Sequence, residues 1–187
     1  MSKRMLPRDK SRVFRDCVTY INVLAESSTK IRAAEDLSVA LPIVFTIDNQ
    51  PDVPRTFKWL FTSHAQITAY TVEVKGYDAQ GILRTERWTE NLGWSGETNI
   101  AFSYITSIKM TSRTGTGVGD TMHIGTGSML GMPNPFASTA NVVITKNQAC
   151  WLPPLWIIFL KWGKIDVSSG GAIVDGDDFI FWYDAFY

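Results

Sequence analysis

An all-β protein, an antiparallel β-sandwich of jelly-roll-like design with an extended N-terminal arm and an aromatic-rich C-terminal extension, is what this sequence predicts. In Val72-Glu-Val-Lys-Gly-Tyr-Asp-Ala-Gln-Gly81, Val72 and Val74 alternate with Glu73 and Lys75, the period of a strand with one face buried and one face wet, and Tyr77 to Gly81 tolerate turn geometry. Similar stretches recur at short intervals, set apart by Gly, Asn, Asp and Pro clusters, which is the spacing of a sandwich or barrel. Arg84-Thr-Glu-Arg-Trp88 and Ala101-Phe-Ser-Tyr-Ile-Thr-Ser-Ile108 continue the series without a catalytic motif among them, so the middle of the chain reads as scaffold.

Taken in order, residues 1–16 carry Lys3, Arg4, Arg8, Lys10, Arg12 and Arg15 against Asp9 and Asp16, with few apolar groups to fold around, and predict an extended arm. Residues 13–41 show weak periodicity of either kind and predict extended segments with a short helix over 28–36. Asp48-Asn-Gln-Pro-Asp-Val-Pro54 is dense in residues that start turns and stop helices. Strands are then predicted over 55–63, 67–75, 83–89, 99–112 and 121–124, and again over 141–145. The sequence divides on this basis into an arm or linker (1–41), a sandwich core (42–145), and a region (146–187) that completes the sheet or forms a subunit interface.

At 187 residues one core is the expectation. Lys+Arg and Asp+Glu balance at 18 each, so overall charge points to neither nucleic acid nor an anionic surface. Residues 1–16 carry no charged-then-apolar leader pattern, and 151–160, which contains Pro153 and Pro154, is too short to span a bilayer. These features predict a soluble chain made in the cytoplasm. Cys17 and Cys150 are a single pair in a chain this size, which reads as two reduced thiols rather than a disulfide framework.

The glycines of Gly115-Thr-Gly-Val-Gly-Asp120 and Gly125-Thr-Gly-Ser-Met-Leu-Gly131 lack the Gly-Lys-Ser/Thr ending of a phosphate loop, and Met132-Pro-Asn-Pro135 breaks any helix that would follow. They read as turn and bulge residues. His64 and His123 lie in no metal or triad motif. Asp175, Asp177 and Asp178 offer oxygen ligands without the EF-hand spacing, and read as an acidic turn. Asp78, Glu86, Glu90 and Glu97 could supply a glycosidase pair only at a separation the sequence does not give. No catalytic, cofactor-binding or metal residue is therefore assigned, and no cofactor.

Trp151-Leu-Pro-Pro-Leu-Trp-Ile-Ile-Phe-Leu-Lys-Trp162 and Phe179-Ile-Phe-Trp-Tyr-Asp-Ala-Phe-Tyr187 are exceptionally aromatic. Such density exceeds what a small sandwich hides alone and points to an interface. The anchors assigned to it are Trp151, Trp156, Trp162, Trp182 and Tyr187, with Arg4, Arg8, Arg12 and Arg15 of the arm docking on a neighbour's acidic 175–184 segment. Deleting the residues after Asp178 is expected to abolish assembly and leave the sandwich folded. A carbohydrate-binding module is the alternative, on Trp88 and Trp94 beside Asn91-Leu-Gly-Trp-Ser-Gly96.

About eighty residues resemble a family of tailed-bacteriophage virion structural proteins. The resemblance rests on Pro54-Arg-Thr-Phe57, Phe61-Thr-Ser63, Tyr70-Thr-Val-Glu-Val-Lys-Gly-Tyr-Asp-Ala-Gln-Gly81, Thr85-Glu86, Ala101-Phe102, Ile105-Thr-Ser-Ile108, and Ile124-Gly-Thr-Gly127 before Leu130-Gly-Met-Pro133. It implies a non-enzymatic virion component, made in the host cytoplasm, that joins capsid or head–tail neck subunits. Its expected partners are copies of itself as a symmetric homo-oligomer and other virion proteins (major capsid or portal/neck). No membrane is expected, and nucleic acid only through the basic arm.

Overall fold

The computed structural model describes residues 13–63, 65–91, 95–134, 143–147, 149–151, 158–159, 164–166 and 173–186. Within them the chain is all-β. Its strands are β1 (Val13–Val23), β2 (Ser27–Asp36), β3 (Ile43–Val44), β4 (Arg55–Ser63), β5 (Ala69–Asp78), β6 (Leu83–Asn91), β7 (Ser95–Glu97), β8 (Phe102–Thr114) and β9 (Thr121–Gly131). They continue with β10 (Val143–Lys146), β11 (Ala149–Trp151), β12 (Ile158–Phe159), β13 (Lys164–Asp166) and β14 (Asp177–Phe186). A ten-stranded sheet runs β12-β13-β9-β4-β8-β5-β6, with β2 added to β9, β3 to β8 and β7 to β4, and a four-stranded sheet runs β1-β14-β10-β11.

The large sheet makes a sandwich because β4 and β8 pair at one position, Arg55 opposite Phe102, and then part company. Phe57, Trp59 and Phe61 of β4 with Met122 and Ile124 of β9 meet Tyr70, Val72 and Val74 of β5 and Phe102, Ile105, Ile108 and Met110 of β8 in one core. The alternation in β5 follows from this, since its even-numbered residues 70–78 are buried and its odd-numbered ones are not. Trp59 Nε1 donates to the Tyr70 hydroxyl at 2.8 Å inside the core. Burial pushes the Tyr70 hydroxyl up to about 12, against which the Trp59 hydrogen bond works. The unfolded chain loses that proton at about pH 10 while the folded one keeps it. Stability should therefore fall between pH 10 and about 12, and a Tyr70→Phe variant should show a shallower fall in denaturant titrations across that window.

Residues 28–36 form strand β2 instead of the expected helix. The β2–β9 ladder shifts register between Ser27 and Arg32 and again between Arg32 and Glu35. Those bulges spoil the period of two that would have marked a strand, and Ile31 is the one fully buried residue in it. Residues 13–41 are thus built into both sheets, and Ile31 and Leu37 belong to the sandwich core. Strand β9 likewise runs on to Gly131, past the predicted end at 124. A Cβ at Gly125 would sit 1.7 Å from the Ser27 carbonyl oxygen, so here glycine permits a close strand approach and not a turn. Gly115, Gly117 and Gly119, by contrast, have φ of 108°, 72° and 76° and are turn residues.

A second core lies under the four-stranded sheet. Phe179, Phe181 and Tyr183 of β14 and Ile144 of β10 pack with Val23, Leu130, Met132, Ile165 and Ile173. Tyr20 of β1 donates its hydroxyl to the Gly131 carbonyl at 2.5 Å, tying the small sheet to the end of β9. Arg55 also joins the two bodies. Its fully buried guanidinium donates to the Gly127 carbonyl at 2.9 Å, the Leu24 carbonyl at 2.9 Å and Asp52 Oδ1 at 3.1 Å.

Candidate functional site

The surface that brings two of the sequence-predicted residues, Arg15 and Trp182, together is the outer face of the four-stranded sheet. Strand β14 alternates, sending Phe179, Phe181 and Tyr183 into the core and leaving Ile180 and Trp182 half-buried on the opposite side. In register with them, Cys17 of β1 and Val143 of β10 flank Trp182, while Thr19 and Thr145 flank Ile180. Arg15, Cys17 and Thr19 are exposed, and Ile21 at the far end of the row is 63% exposed. The result is a small pleated face with Trp182 at its centre, Cys17 and Val143 on either side of it, and Arg15, Thr19 and Ile180 next along the strands. Such a face suits contact with another protein surface, because a large amphipathic ring with few rotamers loses little entropy on binding.

Of the nine anchors assigned from sequence, Arg15 and Trp182 share this face, Arg15 two residues along β1 from Cys17, which stands opposite Trp182. Trp151 ends β11 at the register position opposite Ile144. Arg4, Arg8, Arg12, Trp156, Trp162 and Tyr187 lie outside the described residues. Within 179–183 buried and half-buried residues alternate, which a run of aromatics conceals in sequence. Cys17 and Cys150 stand on β1 and β11, with β14 and β10 between them. Three strand spacings of about 4.8 Å separate those strands by roughly 14 Å, beyond the reach of a disulfide.

The acidic turn is a fastening. Asp178 Oδ1 accepts from Asn22 N at 2.9 Å, Asp175 Oδ1 from Ala25 N at 2.7 Å, and Asp177 from Asn147 Nδ2 at 2.7 Å and Val174 N at 2.9 Å. These oxygens hold β14 to the end of β1 and to Asn147 next to β10, and among the described residues no cluster of three or more His, Cys, Asp or Glu is placed to hold a metal ion. Three of the four carboxylates considered for a glycosidase pair are engaged as well. Asp78 accepts from Gln80 N, Ile82 N and Arg84 Nε within the β5–β6 turn, and Glu86 accepts from Asn99 N and Ile100 N. Glu97 bonds Thr56 Oγ1, and Glu90 stands opposite Tyr70. Buried Asp120 accepts from Gln66 N at 3.0 Å and Ile67 N at 2.7 Å, which fixes the start of β9 against the lead into β5.

His123 Nε2 lies 3.3 Å from the Thr62 hydroxyl on the β4–β9 ladder, and His64 is outside the described residues. Trp88 stacks on Trp59 with ring centroids 4.1 Å apart, so one face of its indole is already covered. Trp94 is outside the described residues. Beside that stack a shallow groove of about 380 Å³ lies between β2 and β7, floored by Lys58, Trp59 and Leu60 and rimmed by Ser28, Ser95 and Glu97. Lys58 pairs with Glu26 at one end of it. A second exposed apolar row crosses β8, β5 and β6, where Tyr104 and Leu83 stand on either side of Tyr77. Among the described residues no helix is long and apolar enough to cross a membrane.

Comparison with known protein families, curated proteins and solved structures returns no match.

Proposed function

We propose that this is a non-enzymatic structural protein that works by joining copies of itself or neighbouring proteins, and that the outer face of the β1-β14-β10 sheet is a joining surface. The observation that carries this reading is the position of Trp182, half-buried at the centre of an outward face between exposed Cys17 and half-buried Val143, with Ile21 exposed beyond. A buried tryptophan anchor ringed by smaller contacts is the usual energetic centre of a protein interface. Asp78 and Glu86, two of the four carboxylates a glycosidase pair could draw on, accept from backbone N–H groups, which supports a scaffold role. With the resemblance noted above, the setting we propose is the particle of a tailed phage, as a cement protein on the capsid or a ring component at the neck.

Sedimentation velocity over a range of concentrations tests it. The wild-type chain should sediment as a species heavier than the monomer, and Trp182→Glu should lower that mass while circular dichroism and melting stay close to wild type. A wild-type chain that stays monomeric at every concentration, alone and with candidate capsid or neck proteins, would overturn the proposal.

A further inference from the structure

The edges of the two sheets are unlike one another, and the difference singles out one of them. Strand β6 closes the large sheet and carries Arg84, Glu86, Arg87 and Glu90 along its length, the kind of charged edge that resists added strands. Strands β11 and β12, at the remaining ends, have three and two residues, and β3 and β7, each paired on one side, have two and three. Strand β2 is 10 residues long and pairs with β9 alone, but it carries Lys30, Arg32, Glu35 and Asp36, and its Lys30 and Ile31 carbonyls accept from Asn49 Nδ2 and Asp48 N. Strand β1 is 11 residues long, forms the other end of the four-stranded sheet, and has the sequence Val-Phe-Arg-Asp-Cys-Val-Thr-Tyr-Ile-Asn-Val. It is rich in β-branched and aromatic residues and bears two adjacent charges that cancel. Among the described residues no strand lies on its far side. A long edge of this composition is a template for one more strand.

We infer that the strand it takes is β1 of a second copy, antiparallel about a two-fold axis through Cys17. An antiparallel two-fold pair keeps both outer faces on one side only when residues of like parity stand opposite each other. With Cys17 opposite Cys17 of the second copy, Phe14 meets Tyr20, Arg15 meets Thr19 and Asp16 meets Val18. Aromatic positions are matched and no like charges face each other. Sliding the register toward the amino terminus sets Asp16 against Asp16 and then Arg15 against Arg15. Sliding it the other way shortens the ladder, because the regular pairing of β1 ends at Tyr20 and Asn22 turns out of the strand at φ 54°. The chosen register is thus the longest free of like-charge pairs. It would fuse the two terminal sheets into one, with Ile21 and Trp182 of both copies on a shared outer face. The inference rests on the self-joining reading above and names the partner and the edge.

The geometry gives a register-specific test. Residues directly opposite in an antiparallel pair have Cα atoms about 4.5–5.5 Å apart, inside the range of about 4.4–6.8 Å that a disulfide spans. Mild oxidation with diamide, which takes up the two electrons and two protons the thiols give up, should convert most of the chain to a covalent dimer, and peptide mass mapping should find Cys17 joined to Cys17. The Cys17→Ser, Thr19→Cys variant should not cross-link through position 19, since the two introduced thiols would stand on the order of 14 Å apart along the ladder. Cross-linking of that variant as fast as wild type, or a link mapped to Cys150 alone, would overturn the register. If the protein sediments as an oligomer but Cys17 stays reduced, the edge inference fails and the self-joining proposal stands. If Cys17 links and Trp182→Glu leaves the sedimenting mass unchanged, the edge stands and the outer-face proposal fails.

Discussion

Replacing Arg55 by Ala should cost about 3–5 kcal/mol of stability, the range for removing one partner of a buried ion pair. The guanidinium is fully buried, and it holds three separate pieces of chain at once: Leu24 after β1, Asp52 before β4, and Gly127 in β9. Its removal leaves the Gly127 and Leu24 carbonyls without that donor and strips Asp52 of its cation, although Leu24 N still donates to Asp52 Oδ2 at 2.8 Å. For a chain of this size each kcal/mol moves the melting temperature by roughly 2–4 °C, so a drop of roughly 6–20 °C is expected. Arg55→Lys should recover only part of it, because an ammonium cannot reproduce the fork that reaches Gly127 and Asp52 together. Arg55 Nη2 is buried without a hydrogen-bond partner among the described residues, so the site is already imperfectly satisfied. Asp52→Leu combined with Arg55→Met should therefore be less harmful than Arg55→Ala alone. A loss below about 1 kcal/mol for Arg55→Ala by denaturant titration, well under the usual cost of breaking such a pair, would show that the two bodies are not held together here.

Phe181→Ala should cost a further large amount on its own, about 3–5 kcal/mol. Phe181 is fully buried and packs between Phe179, at 6.1 Å, and Tyr20, at 5.9 Å. Its strand is the middle of the small sheet, with β1 on one side and β10 on the other. The neighbouring Trp182→Ala should cost about 1 kcal/mol or less, because that ring faces outward and keeps part of its surface in water. The contrast between adjacent residues is the test, and equal losses would contradict the assignment of faces. The alternation of β14 also changes what a C-terminal deletion means. Cutting after Asp178 removes β14 and with it three core aromatics, so loss of assembly in that variant would report a broken second core. A substitution at Trp182 separates the two effects, and a truncation does not.

Much of the large sheet is legible in the sequence because its strands obey local rules. In β5 the alternation is regular, and β4 is marked from Arg55 to Ser63 by its apolar run after Pro54. Strand β2 is hidden by its bulges, and the second half of β9 by glycines that serve close packing and look like turns. Arg55 gives no local sign of burial beyond Asp52 three residues before it, since its carbonyl partners come from residues 24 and 127. The terminal sheet is the least legible element. Nothing in either segment announces that the first strand pairs with the last, yet that pairing decides which aromatics of 179–186 are core. Residue type therefore marks Arg15 and Trp182 as interface candidates without showing that they share a face.

Amide hydrogen exchange, measured at low and high protein concentration, reports on the β1 edge itself, since paired edges exchange slowly and open ones do not. Raising the concentration should slow exchange within residues 14–20 of β1 and leave Leu83–Asn91 unchanged. Equal exchange at both concentrations along β1, or protection that grows on β6 in its place, would contradict the β1 pairing.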